Sequence, residues 1–426
     1  MKKLFTVLLM LLVISGAIFA SGEKESSAIL PGDEGSNGTQ SVDNIKLEYY
    51  NIKNETEDLM NDLIYKFEKQ NPGVQITQTN VPDAEIVLKT RLTTRDVPDI
   101  INCYPAAEIY KQCYQMGFLA NLDGQDFLNQ VPNDVLKMAQ ADGENFSLPE
   151  TLSVYGIYIR TDLLKKYNLE EPETYDELIN VCKELQKNGI IPFAFSDKDT
   201  WTIAQSLERI IGIVNHDSNS EFAKIANGEM DVNASPTLNA LANMMIELHK
   251  YTYADTLSVS YEQALSDFIN GKCAMIITGS WALNTFNQRD SDMEKKVELI
   301  PIPNPTGDET FVPINIDTAF AISSTTKYPD MCLKFVDFLA QTENAQIYAD
   351  EEKTPNIIKG VKFNVDSHKK MTAYVDQGKY VITPATVWPL GLREQIKVPL
   401  QKLYMDNDVN EFLSSCGEVI TSYYNN

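Results

Sequence analysis

The sequence lacks the short motifs that mark many catalytic centres. It contains no H-E-x-x-H, G-x-S-x-G, G-x-x-x-x-G-K-S/T or G-x-G-x-x-G pattern, the signatures of zinc proteases, serine hydrolases, P-loop proteins and dinucleotide-binding proteins. Its three histidines, His216, His249 and His368, are isolated and are interpreted as surface or packing residues. The sequence does not exclude a catalytic pair of carboxylates like that of a glycosidase, because the two residues of such a pair can be far apart in sequence and close together only in the fold. The sequence therefore favours a binding protein over an enzyme and predicts no metal or cofactor.

Positive charge is also scarce. The chain has 60 Asp and Glu against 36 Lys and Arg, which gives a net charge of −24 at pH 7. Such a charge repels phosphate backbones and anionic lipid headgroups. We therefore expect no nucleic-acid partner, and solubility alone explains most of the acidity.

The six cysteines are far apart, and no C-x-x-C pair occurs. Cys182 and Cys332 fall on apolar faces of predicted helices and Cys273 opens a predicted strand, where a free cysteine acts as a small hydrophobic residue. Only Cys103 and Cys113 are close enough in sequence to suggest a local disulfide. Because none precedes Cys103, we expect no lipid on an N-terminal cysteine.

The N-terminus has the layout of a secretory signal peptide, expected at residues 1–20. Two lysines precede an apolar run at residues 4–19, which is shorter than the ~20 residues of a typical membrane-spanning helix. Cleavage is expected after Ala17 or Ala20. Residues 21–44 are rich in glycine, serine and charge and predict a flexible leader.

The rest of the chain alternates strand and helix patterns. "IKLEYYN" is typical of a strand, and "ETEDLMNDLIYKFEKQ" places apolar residues on one helical face. In "TYDEL", Thr174 and Glu177 have the spacing of a capping box. The alternation predicts an α/β fold with mainly parallel sheets flanked by helices. The remaining chain of about 380 residues is longer than the chains that usually fold around a single hydrophobic core, so two lobes are expected.

The stretch "CAMIITGSW" predicts a buried strand followed by a glycine, a serine and a tryptophan. Ligands of parallel α/β sheets gather beyond the carboxyl ends of the strands. Gly279 permits close approach of a ligand, and Ser280 is expected to cap the next helix. Trp281 either offers an aromatic face to a sugar or packs the first helical turn onto the sheet.

An ordered series of motifs runs from about residue 45 to about residue 360. The series reads "YKFEKQNPGVQI", "TTRDVPDI", "GFLANLD", "FSLPETLSVYGIYIRTDLLKKYNLEEPETYDELINVCKELQKNGIIPFAF", "FINGKCAMIITGSWAL", "IPIPNPTGD" and "AFAISSTTKYPDMCLKFVDFLA". In order and spacing it resembles extracellular solute-binding protein family 1, the sugar-binding components of ABC importers that include maltose-binding protein.

The resemblance implies a type II periplasmic-binding-protein-like fold with a ligand cleft at the hinge between its lobes. Lobe 1 would comprise residues 45–150 with a return segment at about 301–328. Lobe 2 would comprise residues 151–300 with a C-terminal segment at about 329–426. The chain would first cross near residues 148–155.

The resemblance also implies a set of cleft positions. They map onto Tyr49, Tyr50, Asn51, Cys103, Tyr104, Glu150, Tyr155, Trp201, Gly279, Ser280, Trp281, Asn315 and Asp317. The last two lie in "INIDT", where the family usually has a glycine-rich run. In "TPATVWPLGLREQI", which matches no family pattern closely, Trp388 and Arg393 are candidates by residue type.

The implied function is capture of a sugar or oligosaccharide by lobe closure and its delivery to an ABC importer. The expected partners are a saccharide and the membrane permease subunits, and the protein is expected to be a periplasmic or extracytoplasmic monomer. Two alternatives stay open: a secreted glycan-acting enzyme, and a binder of a non-sugar solute such as a polyamine or peptide.

We predict that the mature protein lacks its first 17 to 20 residues, because the apolar run has the length and flanks of a cleaved signal. N-terminal sequencing of protein from the extracytoplasmic fraction tests this. A sequence that begins at Met1 would contradict it.

Overall fold

The alternating patterns form an α/β structure. In this computed structural model the described residues are 44–82, 84–389 and 391–425. The expected signal peptide and all of the expected leader except residue 44 lie outside them. The described residues contain the strands β1 (Ile45–Asn51), β2 (Val74–Asn80), β3 (Ile100–Cys103), β4 (Ser147–Arg160), β5 (Ile191–Phe193), β6 (Cys273–Gly279), β7 (Val297–Ile300), β8 (Val312–Ile322) and β9 (Tyr380–Ile382).

The α-helices cover the strands on both sides. They are α1 (Glu57–Gln70), α2 (Ala84–Thr93), α3 (Glu108–Gln115), α4 (Asn133–Ala139), α5 (Thr161–Lys166), α6 (Tyr175–Lys187), α7 (Thr200–Val214), α8 (Ser218–Ala226), α9 (Pro236–Leu248), α10 (Tyr261–Ile269), α11 (Ala282–Arg289), α12 (Pro329–Ala340), α13 (Thr342–Glu352), α14 (Lys369–Asp376), α15 (Leu392–Asp406) and α16 (Val409–Tyr424). None of the helices in the described part of the chain is long and apolar enough to span a membrane.

Local sequence signals explain several of these boundaries. The capping box at Thr174 and Glu177 is present at the start of α6, as the spacing predicts. Helix α1 buries Leu63 and Phe67 on its apolar face. It ends at "NPG", where Gly73 has a φ of 93°, a conformation that favours glycine.

The strands form a mixed sheet in the order β2-β1-β3-β8-β4-β6-β5, with β7 paired to β4 and β9 to β8. β1 is parallel to β2 and β3, and β5 is parallel to β6. β8 is antiparallel to β3 and β4, and β4 is antiparallel to β6. The parallel pairs therefore lie toward the outside, and β4 and β8 form the middle.

β4 and β8 connect two separate apolar cores. The first half of β4 pairs with β8, and its second half, from Tyr155, pairs with β6. The β4–β8 register shifts on both sides of Thr151, and such irregularities bend a strand. These two strands are therefore the crossovers of the fold.

The first core, which we call lobe 1, is formed by buried residues between 47 and 148 and between 316 and 358. Residues between 154 and 314 and between 365 and 420 form two adjoining clusters, which we call lobe 2. The expected assignment of the segment from residue 329 to lobe 2 differs from this packing. Phe335 and Phe338 of α12 contact Phe67 of α1, with ring centroids 5.0 and 5.3 Å apart. This aromatic packing holds α12 on lobe 1, and the chain leaves lobe 1 only after α13.

Candidate functional site

The cleft lies where the crossovers pass between the lobes. β1 and β3 end there on the lobe 1 side, at Asn51 and Cys103, and β6 ends there on the lobe 2 side, at Gly279. The carboxyl ends of strands are where ligands of α/β sheets gather. The candidate site is therefore built from two groups of residues, one at the strand ends of each lobe.

The lobe 1 face consists of Lys53, Glu55 and Asp317, backed by Glu352. The Lys53 side chain is 1% exposed, and its Nζ donates to Asp317 Oδ2 at 2.6 Å and to the Glu352 carboxylate. Glu55 Oε1 lies 3.9 Å from the same Nζ, and the Glu55 side chain is 21% exposed. One ammonium thus faces three carboxylates, so this face carries an excess of negative charge and of hydrogen-bond acceptors.

Glu150 lies beside this cluster on the crossover β4. Burial raises its pKa to about 8, although the hydrogen bond from Asn356 and the Lys53 charge act in the opposite direction. Asn356 Nδ2 donates to Glu150 Oε1 at 3.3 Å. The carboxyl is 1% exposed, and its Oε2 has no hydrogen-bond partner within the described structure. Glu150 is therefore mostly protonated at neutral pH, which lowers the cost of burying it.

The lobe 2 face consists of Tyr155, Trp201, Arg209, Tyr261 and Trp281. The Trp281 ring lies on Gly279: a Cβ at that position would be 1.8 Å from Cζ3 of the ring. No other residue type permits this contact. The ring is half-buried, and its centroid lies 6.3 Å from that of Tyr155.

The Tyr155 ring packs against a cluster of charged side chains. The Arg209 guanidinium lies over its ring at 4.5 Å from the centroid, a cation–π contact. Arg209 pairs with Glu208 at 2.6 Å, and Glu208 pairs with Arg393 at 2.8 Å. The Tyr155 hydroxyl also hydrogen-bonds with Ser206 at 3.2 Å. Arg393 thus reaches the site through Glu208.

Tyr261 and Trp201 extend the lobe 2 face outward. The Tyr261 hydroxyl hydrogen-bonds with the Thr278 hydroxyl at 3.0 Å. Burial raises the pKa of Tyr261, with a smaller contribution from the Glu55 carboxylate. Trp201 contacts Tyr261 at 4.7 Å between ring centroids and is 39% exposed.

Among the described residues, side chains of one lobe also hydrogen-bond to the backbone of the other. Asn284 Nδ2 on α11 donates to the Glu55 carbonyl at 3.1 Å. Lys111 Nζ on α3 donates to the Thr386 carbonyl at 3.3 Å. These contacts link α11 to the segment that follows β1, and α3 to the segment that follows β9.

Several residues that the sequence suggested for the site are buried in the cores. The Tyr49 ring packs between Phe320 and Phe335, and the Tyr50 hydroxyl donates to the Ala84 carbonyl at 2.7 Å. Trp388 packs on Phe222 and is 7% exposed. Cys103 is a buried free thiol, so the local disulfide with Cys113 is not formed. We leave Tyr49, Tyr50, Cys103 and Trp388 out of the proposed site because packing occupies their side chains.

The side chains of three other suggested residues accept hydrogen bonds from backbone amides. Asn51 Oδ1 accepts from the Lys53 amide at 3.0 Å, which orients Lys53. Ser280 Oγ accepts from the Val154 amide at 3.3 Å instead of capping α11, which corrects the expected cap. Asn315 Oδ1 accepts from the Ile316 amide at 2.9 Å. Tyr104 is half-buried at the end of β3.

Sequence reasoning missed Lys53, Glu55, Arg209, Tyr261 and Glu352. Lys53 and Glu55 follow the end of β1 directly, so their place beyond a strand was a usable signal. Glu352 is 299 positions from Lys53 in the chain, and no local sequence pattern predicts such a pair. Within the part of the chain that the structure describes, no group of three or more His, Cys, Asp or Glu residues is arranged to hold a metal ion.

Two α/β lobes joined by crossover strands around a polar and aromatic cleft define a two-lobed binding protein of the periplasmic type. Residues 53–346 match the family model for bacterial extracellular solute-binding proteins, and the chain belongs to that family. This membership confirms the expectation of a binding protein rather than an enzyme.

Characterised relatives have similar sequences and structures. The chain is 31% identical over 357 residues to the multiple sugar-binding protein of Streptococcus mutans, covering 80% of this chain and 82% of the relative. It is 22% identical to the melibiose/raffinose/stachyose-binding protein MelE of Bacillus subtilis, over 72% of each chain. The structure of the solute-binding protein RafE with raffinose superposes with a TM-score of 0.79 at 24% identity, covering 89% of this chain and all of that one.

We predict that Glu150 makes the protein less stable as pH rises. The unfolded state releases this proton near 4.5, whereas the folded state keeps it up to about pH 8. The free energy of unfolding therefore falls as pH rises between these values. Denaturant unfolding of wild type and Glu150→Gln at about pH 5 and about pH 8 should show a smaller fall in the variant. Glu351→Gln, at an exposed neighbouring carboxyl, is the control, and an equal fall in Glu150→Gln and wild type would contradict the assignment.

Proposed function

We propose that this protein captures a saccharide between its lobes. The observation that supports the proposal is the Trp281 ring, which lies on Gly279 at the end of β6 and is only half-buried. An aromatic face binds the C–H surface of a sugar, and carboxylate oxygens accept hydrogen bonds from its hydroxyls. Asp317 and Glu55 would serve as those acceptors.

The proposed ligand-binding residues are taken from the two faces described above. They are Lys53, Glu55, Asp317, Tyr155, Trp201, Tyr261 and Trp281. Arg209, Glu150 and Arg393 would position them. The names of the relatives support a sugar ligand, since the Streptococcus mutans and Bacillus subtilis proteins are both called sugar-binding.

We infer the biological setting from the family. The protein would be exported, act outside the cytoplasmic membrane as a monomer, and deliver its sugar to the permease subunits of an ABC importer. Several relatives carry the name of ABC transporter binding proteins, which supports this partner.

A cationic solute such as a polyamine is the second candidate. The lobe 1 face favours it, because three carboxylates surround the single ammonium of Lys53. A thermal-shift screen that contains both saccharides and polyamines separates the two candidates. Stabilisation by polyamines alone would replace the saccharide proposal.

Trp281→Ala should weaken sugar binding more than it weakens the fold. We expect a loss of roughly 2 kcal/mol or more in affinity, as buried aromatic anchors give at binding sites. Trp388→Ala is the matched control, because Trp388 is packed in the lobe 2 core: it should cost about 3–5 kcal/mol of folding stability and leave affinity nearly intact. Calorimetric affinity and a denaturant midpoint on each variant distinguish the outcomes. A large fall in midpoint with unchanged affinity would return Trp281 to the core.

Sugar binding should close the lobes. A ligand that contacts both faces favours the arrangement in which they are near each other. Small-angle scattering should give a smaller radius of gyration for the saturated protein than for the free protein. An unchanged radius at saturation would indicate a rigid site.

A further inference from the structure

A buried histidine anchors the chain where it returns from lobe 1 to lobe 2. Val361 packs on the lobe 1 core and Phe363 on lobe 2, so the chain crosses between these two residues. His368 follows, directly before α14, and is 0% exposed. The Phe363 ring stacks on it with the centroids 5.9 Å apart. Because the family match ends at residue 346, His368 lies outside the region that defines the family.

Two hydrogen bonds connect His368 to the turn at residues 279–281, which carries Trp281. The Nε2 atom of His368 lies 2.6 Å from the hydroxyl of Tyr158 on β4, and that hydroxyl donates to the Ser280 carbonyl at 3.1 Å. A hydroxyl has one proton, and a carbonyl oxygen only accepts. Tyr158 therefore donates to Ser280 and accepts from His368, which assigns the ring proton of the neutral histidine to Nε2.

The other ring nitrogen of His368 has no partner for a proton. Nδ1 is buried and makes no hydrogen bond within the described structure. Burial lowers the pKa of His368 to about 3. A proton on Nδ1 would leave a buried charge without a partner, so protonation favours release of the ring into water. The titratable and charged residues on the segments packed against His368 are Tyr158, Glu294, Lys295, Glu298, Asp366, Lys369, Lys370, Tyr374 and Asp376.

We propose that His368 is an acid-sensitive positioning residue for the 279–281 turn: its neutral ring stabilises the turn through Tyr158, and its protonation loosens the turn and weakens ligand binding. The effect on binding rests on the saccharide-binding function proposed above. A released ring has the ordinary histidine pKa of about 6.5. The packed ring is therefore fully favoured above that pH, and each pH unit below it favours the released ring by about tenfold.

Hydrogen exchange in the ligand-free protein tests the link without any sugar. The probe is the Ser280 amide, which donates to the Val154 carbonyl at 2.9 Å. Between about pH 7.5 and about pH 5, protection in wild type, corrected for intrinsic exchange, should fall by about tenfold. His368→Gln keeps an N–H donor near the position of Nε2 and does not titrate, so its protection should stay nearly constant.

His216→Gln is the matched control. His216 packs on Phe311 with the centroids 4.2 Å apart, away from the hydrogen bonds of Tyr158, so this variant should lose protection as wild type does. An equal loss of protection in wild type and His368→Gln would overturn the proposal.

Calorimetric titration with raffinose at the same two pH values tests the effect on binding. Wild-type affinity should fall about tenfold more than that of His368→Gln, because the two proteins share every other titrating group of the cleft. His368→Leu lacks the donor and should bind weakly even at the higher pH; if it does not fold, His368→Gln still decides. An equal pH dependence of affinity in wild type and His368→Gln would overturn the positioning role. Failure of folded protein to bind raffinose or any other saccharide would overturn the proposed function, whereas the exchange result alone decides the link to the turn.

Discussion

The geometry of the cleft depends on one buried ammonium group. Lys53 follows β1, and its Nζ joins Asp317 on the crossover β8 to Glu352 at the end of α13. The three partners come from segments far apart in the chain, so this single group fixes the end of β1 against a crossover. Removing one partner of such a buried pair typically costs about 3–5 kcal/mol, because the other charge stays buried without compensation. The carboxylates that would meet a ligand are thus positioned by the same group that holds the hinge to lobe 1.

At the centre of the lobe 2 face, close packing and backbone hydrogen bonds position the residues, and ion pairs do not. The Trp281 ring occupies the space that a Cβ at residue 279 would need, and the adjacent Ser280 fixes β6 to β4 through both its Oγ and its amide, the amide donating to the Val154 carbonyl at 2.9 Å. Glycine, serine and tryptophan therefore act as one unit: the glycine makes room, the serine anchors the strand end, and the tryptophan covers it. The Arg209 and Glu208 pair lies behind Tyr155, so the charged groups orient the aromatic ring and the rings form the surface.

Sequence reasoning identified what local patterns and a family resemblance encode, which is the alternation of elements, the capping box of α6, the family and its fold. It failed where burial depends on distant partners. Tyr49 and Tyr50 are adjacent on β1, yet both are 0% exposed, because strands of a sheet covered on both faces bury both sides. A strand-end tyrosine in the core therefore looks the same in sequence as one in a cleft. Trp388 is buried in the lobe 2 core, where Phe222 lies against it. Lys53 pairs with carboxylates 264 and 299 positions away in the chain.

In the proposed closure the ligand would supply much of the contact between the lobes, because the direct hydrogen bonds between them are few among the described residues. Asn284 and Gln288 donate to the Glu55 carbonyl and Lys111 donates to the Thr386 carbonyl, and such hydrogen bonds each contribute only about 1 kcal/mol net. The excess negative charge of the lobe 1 face opposes closure, because these carboxylates would lose solvent as the cleft closes. A ligand with hydroxyl groups for these carboxylates and a C–H face for Trp281 contacts both lobes at once. Its binding energy is therefore available chiefly in the closed arrangement, and that difference is what shifts the equilibrium toward closure.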